Sequence, residues 1–301
     1  MTIWLNGELF DKPADARISA FDAGVQHGVG LFETMAARHG VVRFLDRHLE
    51  RLAQSLSQLN LSHRLQSQPL AAAVNATLAH SGLPDARIRL TITGGDLNLR
   101  SHPPAPAPGS AQVHDPTIMI HVQLPTPYPN EFFANGVLAT IAVDRVNPLD
   151  RFASHKTLNY WPRLSALTQA ATAGASESLW FTTHGELAGG SVSNVFLVDD
   201  GRLCTPPARG DLADSDETIP AYVLPGITRS VLLDHARACG IEIHIAPLRI
   251  DELLAAEEVF LTNASWGVLP VVAVEQHQVG DGKPGPVTQQ LRELWLGAAP
   301  A

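Results

Sequence analysis

The chain has 301 residues, 45% of them hydrophobic and 17% charged, with a formal net charge of −9. That is enough material for one large or two modest globular domains with a real core. The acid excess, with no basic stripe and no zinc-finger spacing, argues against nucleic acid as a partner, and the absence of any run of about 18 apolar residues argues against a membrane span.

The N-terminus MTIWLNGELFDKPADAR lacks a basic n-region and a long apolar h-region, so no signal peptide is expected. Within it, IWLNGELF reads as a hairpin around an Asn-Gly turn. In LDRHLERLAQSLSQLN, Leu45, Leu49, Leu52, Leu56 and Leu59 recur at four- and three-residue steps, which predicts a helix with one apolar face. QPLAAAVNATLAHSGL is a second helix, stopped by Gly82 and Pro84. ARIRLTITGG and TIMIHVQL read as strands, and the Pro/Ala-rich HPPAPAPGSAQVHDP between them as a long loop inside one domain. Three prolines in LPTPYPNE place an interdomain linker at 124–131, between a smaller domain at 1–123 and a larger one at 132–301. The larger part continues with the strand VLATIAV, the segment SHKTLNYWP and a helix. The strands SLWFTT and NVFLVDD come next, then the helix ITRSVLLDHARACG and the strand IEIHIAP. The helix IDELLAA, the strand EVFLTN, the β-rich GVLPVVAVEQHQVG and the helix PVTQQLRELWLG close the chain. Helices and strands mixed without regular βαβ alternation predict two α+β domains.

Lysine is scarce. Lys12 and Lys283 sit in polar turns, whereas Lys156 stands between an apolar strand and a helix-like segment. A lysine there either snorkels its head to water or loses its charge and becomes a nucleophilic amine able to condense with a carbonyl. Pro225-Gly226 followed by Ile227-Thr228 opens an apolar-periodic helix; its free N–H groups and the Thr228 hydroxyl form either a phosphate site or a plain helix start. Arg51 lies beside the leucine stripe of its helix, reaching inward or out to water. Together these suggest pyridoxal phosphate. The 13 histidines show no HExxH or comparable spacing, so no metal is expected, and Cys204 and Cys239, in no CxxC pattern, suit a reducing cytoplasm.

The blocks LNGELF, FDAGVQHGVGLFET, FLDRHLERL, HKTLNY, GGSVSNVFLV, LCTPP, LPGITR, EVFLTNASWGVLPV and VGDGKPGPVTQQL follow one another nearly end to end. In this ordered series the chain resembles the fold-type IV pyridoxal-phosphate enzymes: branched-chain and D-amino acid aminotransferases and aminodeoxychorismate lyases. The resemblance implies the two-domain α+β fold of that group, a homodimer, and Lys156 as the residue that carries the cofactor and shuttles the proton. It assigns Arg51, Gly226, Ile227 and Thr228 to the cofactor's phosphate, Tyr160 to its phenolic oxygen, and Ser193 and Asn194 to its edge. Where the aminotransferases carry a phosphate-binding threonine this chain has Ala264, as in the lyase branch, which leaves Ser265 and nearby N–H groups for that contact. Arg100 and His102 in LNLRSH resemble a carboxylate clamp, and His27 stands where relatives carry an aromatic residue near the cofactor.

One departure matters. Before the SxSN segment the family has a glutamate that pairs with the pyridine nitrogen and keeps it protonated, strengthening the ring as an electron sink. Here that position is Gly189; Glu186 is three residues away on a strand-like stretch, an odd offset that points it to the other face. The loop ARGDLADSDETIPAYVLPG offers Asp211, Asp214, Asp216 and Glu217, which read as a solvated acidic loop. The expectation is a ring nitrogen without a carboxylate and slower or weaker-sink chemistry. The leading reading is amino-group exchange between an amino acid and a 2-oxo acid. The alternatives are aminodeoxychorismate lyase, releasing pyruvate to leave 4-aminobenzoate, and a weakly active cofactor-binding relative.

Overall fold

The structure, a computed structural model, describes residues 1–61, 65–96, 116–211 and 221–298. The chain divides into two compact units. The first comprises Met1–Thr126 and Lys156–Asn159, the second Pro127–His155 and the chain from Tyr160 through the last helix.

The first unit is a six-stranded antiparallel sheet in the order β2-β1-β6-β5-β3-β4. Its strands are β1 (Thr2–Leu5), β2 (Glu8–Phe10), β3 (Gly30–Arg38), β4 (Val41–Val42), β5 (Ala86–Thr93) and β6 (Ile118–Gln123). Asn6 and Gly7 both take positive φ (48° and 107°) in the tight β1–β2 turn, the geometry that an Asn-Gly pair adopts at least cost. Short helix α1 (Ala23–His27) precedes β3, and α2 (Leu45–Gln58) and α3 (Ser67–Ser81) cover one face of the sheet. Leu45, Leu49, Leu52 and Leu56 are buried there against Leu31, Met35, Ile88, Ile92 and Ile120. Each such side chain contributes about 1.5–3 kcal/mol by leaving water. Gly82, at φ 65°, ends α3, as its place after the apolar pattern predicts.

Alternation along β5 decides what the other face carries. Ile88, Leu90 and Ile92 point into this core, so Arg87, Arg89 and Thr91 point away from it.

The second unit is built on a sheet in the order β12-β11-β10-β13-β14-β7-β8-β9, with β15 paired to β14. Its strands are β7 (Val137–Val146), β8 (Glu177–Thr182), β9 (Leu187–Gly190), β10 (Asn194–Asp199), β11 (Arg202–Thr205), β12 (Ile243–Ile245), β13 (Glu258–Asn263), β14 (Gly267–Val274) and β15 (His277–Gln278). The pairs β14–β7, β7–β8 and β11–β12 are parallel and the others antiparallel. Helices α4 (Asn130–Ala134), α5 (Trp161–Thr172), α6 (Ile227–Ala238), α7 (Ile250–Ala255) and α8 (Pro286–Gly297) complete it. The helix after Lys156 starts only at Trp161, with Pro162 in its first turn, where a missing N–H costs nothing. At the start of α8, the Glu258 carboxylate accepts from the Val287 and Thr288 N–H groups at 3.0 and 2.7 Å, satisfying donors that a helix end leaves open.

Candidate active site

Lys156 is held by the first unit through its backbone. Its carbonyl accepts from Phe32 N at 2.9 Å, and Leu158 N donates to Gly30 O at 3.0 Å, so the lysine segment lies antiparallel against the start of β3. Gly30 permits this approach: a Cβ there would stand 2.6 Å from both Ile92 O and Leu158 Cδ1. The Lys156 Nζ lies 4.5 Å from the centroid of the Phe32 ring, and the Arg89 guanidinium carbon lies 3.7 Å from the same centroid. The two cationic heads are therefore no farther apart than the sum of those distances. Arg89 Nε donates to Thr91 Oγ1 at 3.2 Å, and His121 faces Arg89 across the β5–β6 ladder. Burial first, then the Arg89 and Arg87 charges, push the His121 pKa down to about 4, so this face holds two arginines beside a neutral imidazole. Such a row attracts carboxylates.

On the core side of β3 sits Glu33, 1% exposed. It accepts from Arg51 Nε at 2.9 Å and again from Arg51 Nη2, and lies 2.7 Å from His48 Nδ1. His48 and Arg51 are three apart on α2, hence on one helical face. Burial alone would raise the Glu33 carboxyl, but the Arg51 charge and the His48 contact outweigh it and hold it at about 2. His48 is lowered by burial, against the pull of Glu33.

The second unit offers a helix start suited to seat a phosphate. Gly226 is the N-cap of α6, with extended backbone and no capping side chain. Thr228, in the first turn, is 2% exposed and its Oγ1 has no hydrogen-bond partner. A buried hydroxyl without a partner beside open N–H groups at a helix start is what a phosphate satisfies, so these residues fit pyridoxal phosphate. Asn194 donates to Leu224 O at 2.9 Å, and its Oδ1 occupies the space a Gly226 side chain would need. Arg229 in the next position is tied to the Asp211 carboxylate at 2.6 Å and to Pro206 O at 3.0 Å, which fixes the chain leading into the seat.

Ser193 donates its hydroxyl to Glu177 Oε2 at 2.9 Å. Glu177 is fully buried and also accepts from the N–H groups of Ser178, Ser191 and Val192 at 2.9, 3.0 and 3.1 Å; burial nonetheless lifts its pKa above the carboxylate range. The turn before β10 is thus moulded around a carboxylate. Gly189, within that turn's approach, has φ 107°, and a Cβ there would stand 2.8 Å from Ser193 O. Glu186 accepts from the Tyr222 hydroxyl at 2.9 Å.

Of the other residues singled out, Tyr160 is the N-cap of α5 and half-buried, and His27 is exposed at the end of α1. Ser265 is exposed; its N–H and that of Trp266 are both used on Asn263 Oδ1, at 2.9 and 3.0 Å. Arg100, His102, Asp214, Asp216 and Glu217 lie outside the described residues. Reading the sequence alone passed over Glu33, His48, Arg87, Arg89, His121 and Glu177. The alternation of arginines in ARIRLTIT was the available signal for Arg87 and Arg89.

Residues 30–274 match the family described as amino-transferase class IV. A Methanocaldococcus jannaschii protein, provisionally named branched-chain-amino-acid aminotransferase, is 32% identical over 295 residues, covering 97% of this chain and 94% of that one. The crystal structure of the Escherichia coli branched-chain amino acid aminotransferase aligns with a TM-score of 0.86 at 27% identity, over 98% of this chain and 93% of its own. The 4-amino-4-deoxychorismate lyase of Pseudomonas aeruginosa aligns with a TM-score of 0.79 at 30% identity, over 97% of each chain.

Proposed function

We propose that this chain, which belongs to the class IV aminotransferase family, shares its two-domain α+β fold and takes pyridoxal 5′-phosphate as cofactor, uses Lys156 to exchange an amino group between an amino acid and a 2-oxo acid. The observation that carries the reading is the placement of the Lys156 amine over Phe32 within reach of Arg89. Pyridoxal phosphate supplies an aldehyde and an electron-withdrawing ring when bound. Lys156 Nζ would carry the proton from the substrate's α-carbon to the cofactor's C4′ carbon, which requires a positioned amine. Arg51, Gly226, Ile227, Thr228 and Ser265 are assigned to the phosphate, Tyr160, Ser193 and Asn194 to the ring, and His27, Arg100 and His102 to the substrate.

The cationic face of β5 and β6 supports recognition of an acidic group on the substrate through Arg87 and Arg89, with His121 as a neutral neighbour. Arg89 reaches a carboxylate as a planar fork while its stacking on Phe32 holds the fork in place.

The visible spectrum of the purified protein with pyridoxal phosphate tests the reading. A cofactor band that is lost in Lys156→Ala and bleached by one series of D- or L-amino acids is expected. A band that ignores every amino acid would refute amino transfer. One feature favours a lyase reading, the Asn263-Ala264 pair in place of a phosphate-binding threonine; pyruvate release from aminodeoxychorismate without an amino acceptor would establish it.

A homodimer is proposed as the working form. Trp161 and Leu164, three apart on α5, are 83% and 51% exposed, and Val143, Leu149 and Phe152 are also exposed. Exposed apolar residues concentrated within 143–164 support an interface, and sedimentation at the monomer mass would refute the dimer. Among the described residues no helix is long and apolar enough to cross a membrane. Cys204 and Cys239 are free thiols, in keeping with a cytoplasmic enzyme.

A further inference from the structure

Resting on the assignment of Arg51 to the cofactor's phosphate, we infer that Glu33 is a positioning residue: it fixes the Arg51 guanidinium as a rigid phosphate fork, with His48 bracing the carboxylate from behind. Glu33 engages the Nε–Nη2 edge of Arg51 through both carboxylate oxygens. A guanidinium is planar, so capturing that edge fixes the direction in which the remaining N–H groups point. His48 at 2.7 Å from Oε2 then removes the carboxylate's own freedom to rotate. All three side chains are buried, at 1%, 2% and 8% exposure, and each is carried by β3 or α2 rather than by a loop. A binding group held this way on rigid elements loses less freedom when its ligand arrives.

The placement also explains an oddity of β3. Leu31, Glu33 and Met35 alternate toward the same core, and an acid in that row costs free energy unless its charge is paired. A structure needing only stability at that position is served by an aliphatic residue. Glu33 instead pairs with Arg51 and brings it inward.

The test compares apoprotein affinity for pyridoxal 5′-phosphate with that for pyridoxal, which lacks the phosphate, in the full-length wild type, Glu33→Gln, His48→Asn and Arg51→Lys. Pyridoxal serves as the internal control for folding and for Lys156. Glu33→Gln is expected to weaken pyridoxal phosphate about ten-fold and pyridoxal less than two-fold. His48→Asn should show the same selectivity at about three-fold. Arg51→Lys combined with Glu33→Gln should be no worse than Arg51→Lys alone, because the positioning residue acts only through the arginine. If Arg51→Lys itself leaves the phosphate preference intact, the assignment of Arg51 fails. If Arg51→Lys lowers the preference while Glu33→Gln and His48→Asn leave it unchanged, or weaken both ligands equally, the positioning inference is overturned. Should Glu33→Gln fail to fold, His48→Asn alone decides between these results.

Discussion

Replacing Arg89 by methionine separates recognition of an acidic substrate from the chemistry at Lys156. Methionine keeps an unbranched apolar stem against the Phe32 ring, where the guanidinium carbon now stands 3.7 Å from the centroid, and deletes the charge. A hydrogen bond to a charged group is worth about 1.5–3 kcal/mol, and each 1.4 kcal/mol or so is a factor of ten in rate. The kcat/KM for a dicarboxylic donor such as glutamate therefore falls roughly 10- to 150-fold. For a donor with an aliphatic side chain, such as leucine, the same substitution costs little, because no second carboxylate meets the arginine. Initial rates with both donors, each in both hands, give the ratio directly; the ratio cancels any shared loss of active protein. Equal losses for the two donors would refute the assignment, since they would mean that Arg89 supports the Phe32–Lys156 arrangement and reads no side chain.

Gly189→Glu and Gly189→Ala form a second experiment. Both place a Cβ at φ 107° against Ser193 O, so both should lose about 1–3 kcal/mol and melt several degrees earlier in a thermal scan. Only the glutamate should also shift the cofactor's absorption, and identical spectra would end the account of an unpaired ring nitrogen. Acid titration is the third. The Glu33 carboxyl is depressed to about 2 in the folded chain, so its contribution is complete above its ordinary range near 4.5 and is lost as pH falls from there toward 2. His121 and His155 are both depressed to about 4. An unfolded chain binds their protons first, so stability also declines as pH falls from about 6.5 to 4. Urea midpoints between pH 7 and 4 should flatten in His121→Gln combined with His155→Gln; an unchanged slope would remove these histidines from the acid response.

Whether a residue was legible in the sequence followed from the range of the contact that gives it a role. The leucine stripe of α2, the Asn6-Gly7 turn and the start of α6 at Gly226 depend on neighbours within a few positions, and periodicity and turn chemistry reveal them directly. Strand β9 is legible only as a strand-like stretch, because LAGG has almost no intrinsic strand preference; it exists through its pairing with β8. The row formed by Arg87, Arg89 and His121 requires the β5–β6 register across the long 94–117 connection, which no local pattern encodes.

Glu33 and Glu177 escaped for a related reason. Each is an acid on a buried strand, and each is made tolerable by partners distant in sequence: Arg51 and His48 for the first, the Ser191–Ser193 turn for the second. The Glu177 arrangement also bears on the glycine at 189. A turn that wraps three hydrogen bonds around a carboxylate arriving from β8 brings Ser193 O to 2.8 Å from where a Gly189 Cβ would stand. The backbone therefore disfavours any side chain at 189, acidic or not. The missing glutamate is thus part of how this turn is built, and a glutamate introduced at 189 would strain the turn before its carboxylate could act.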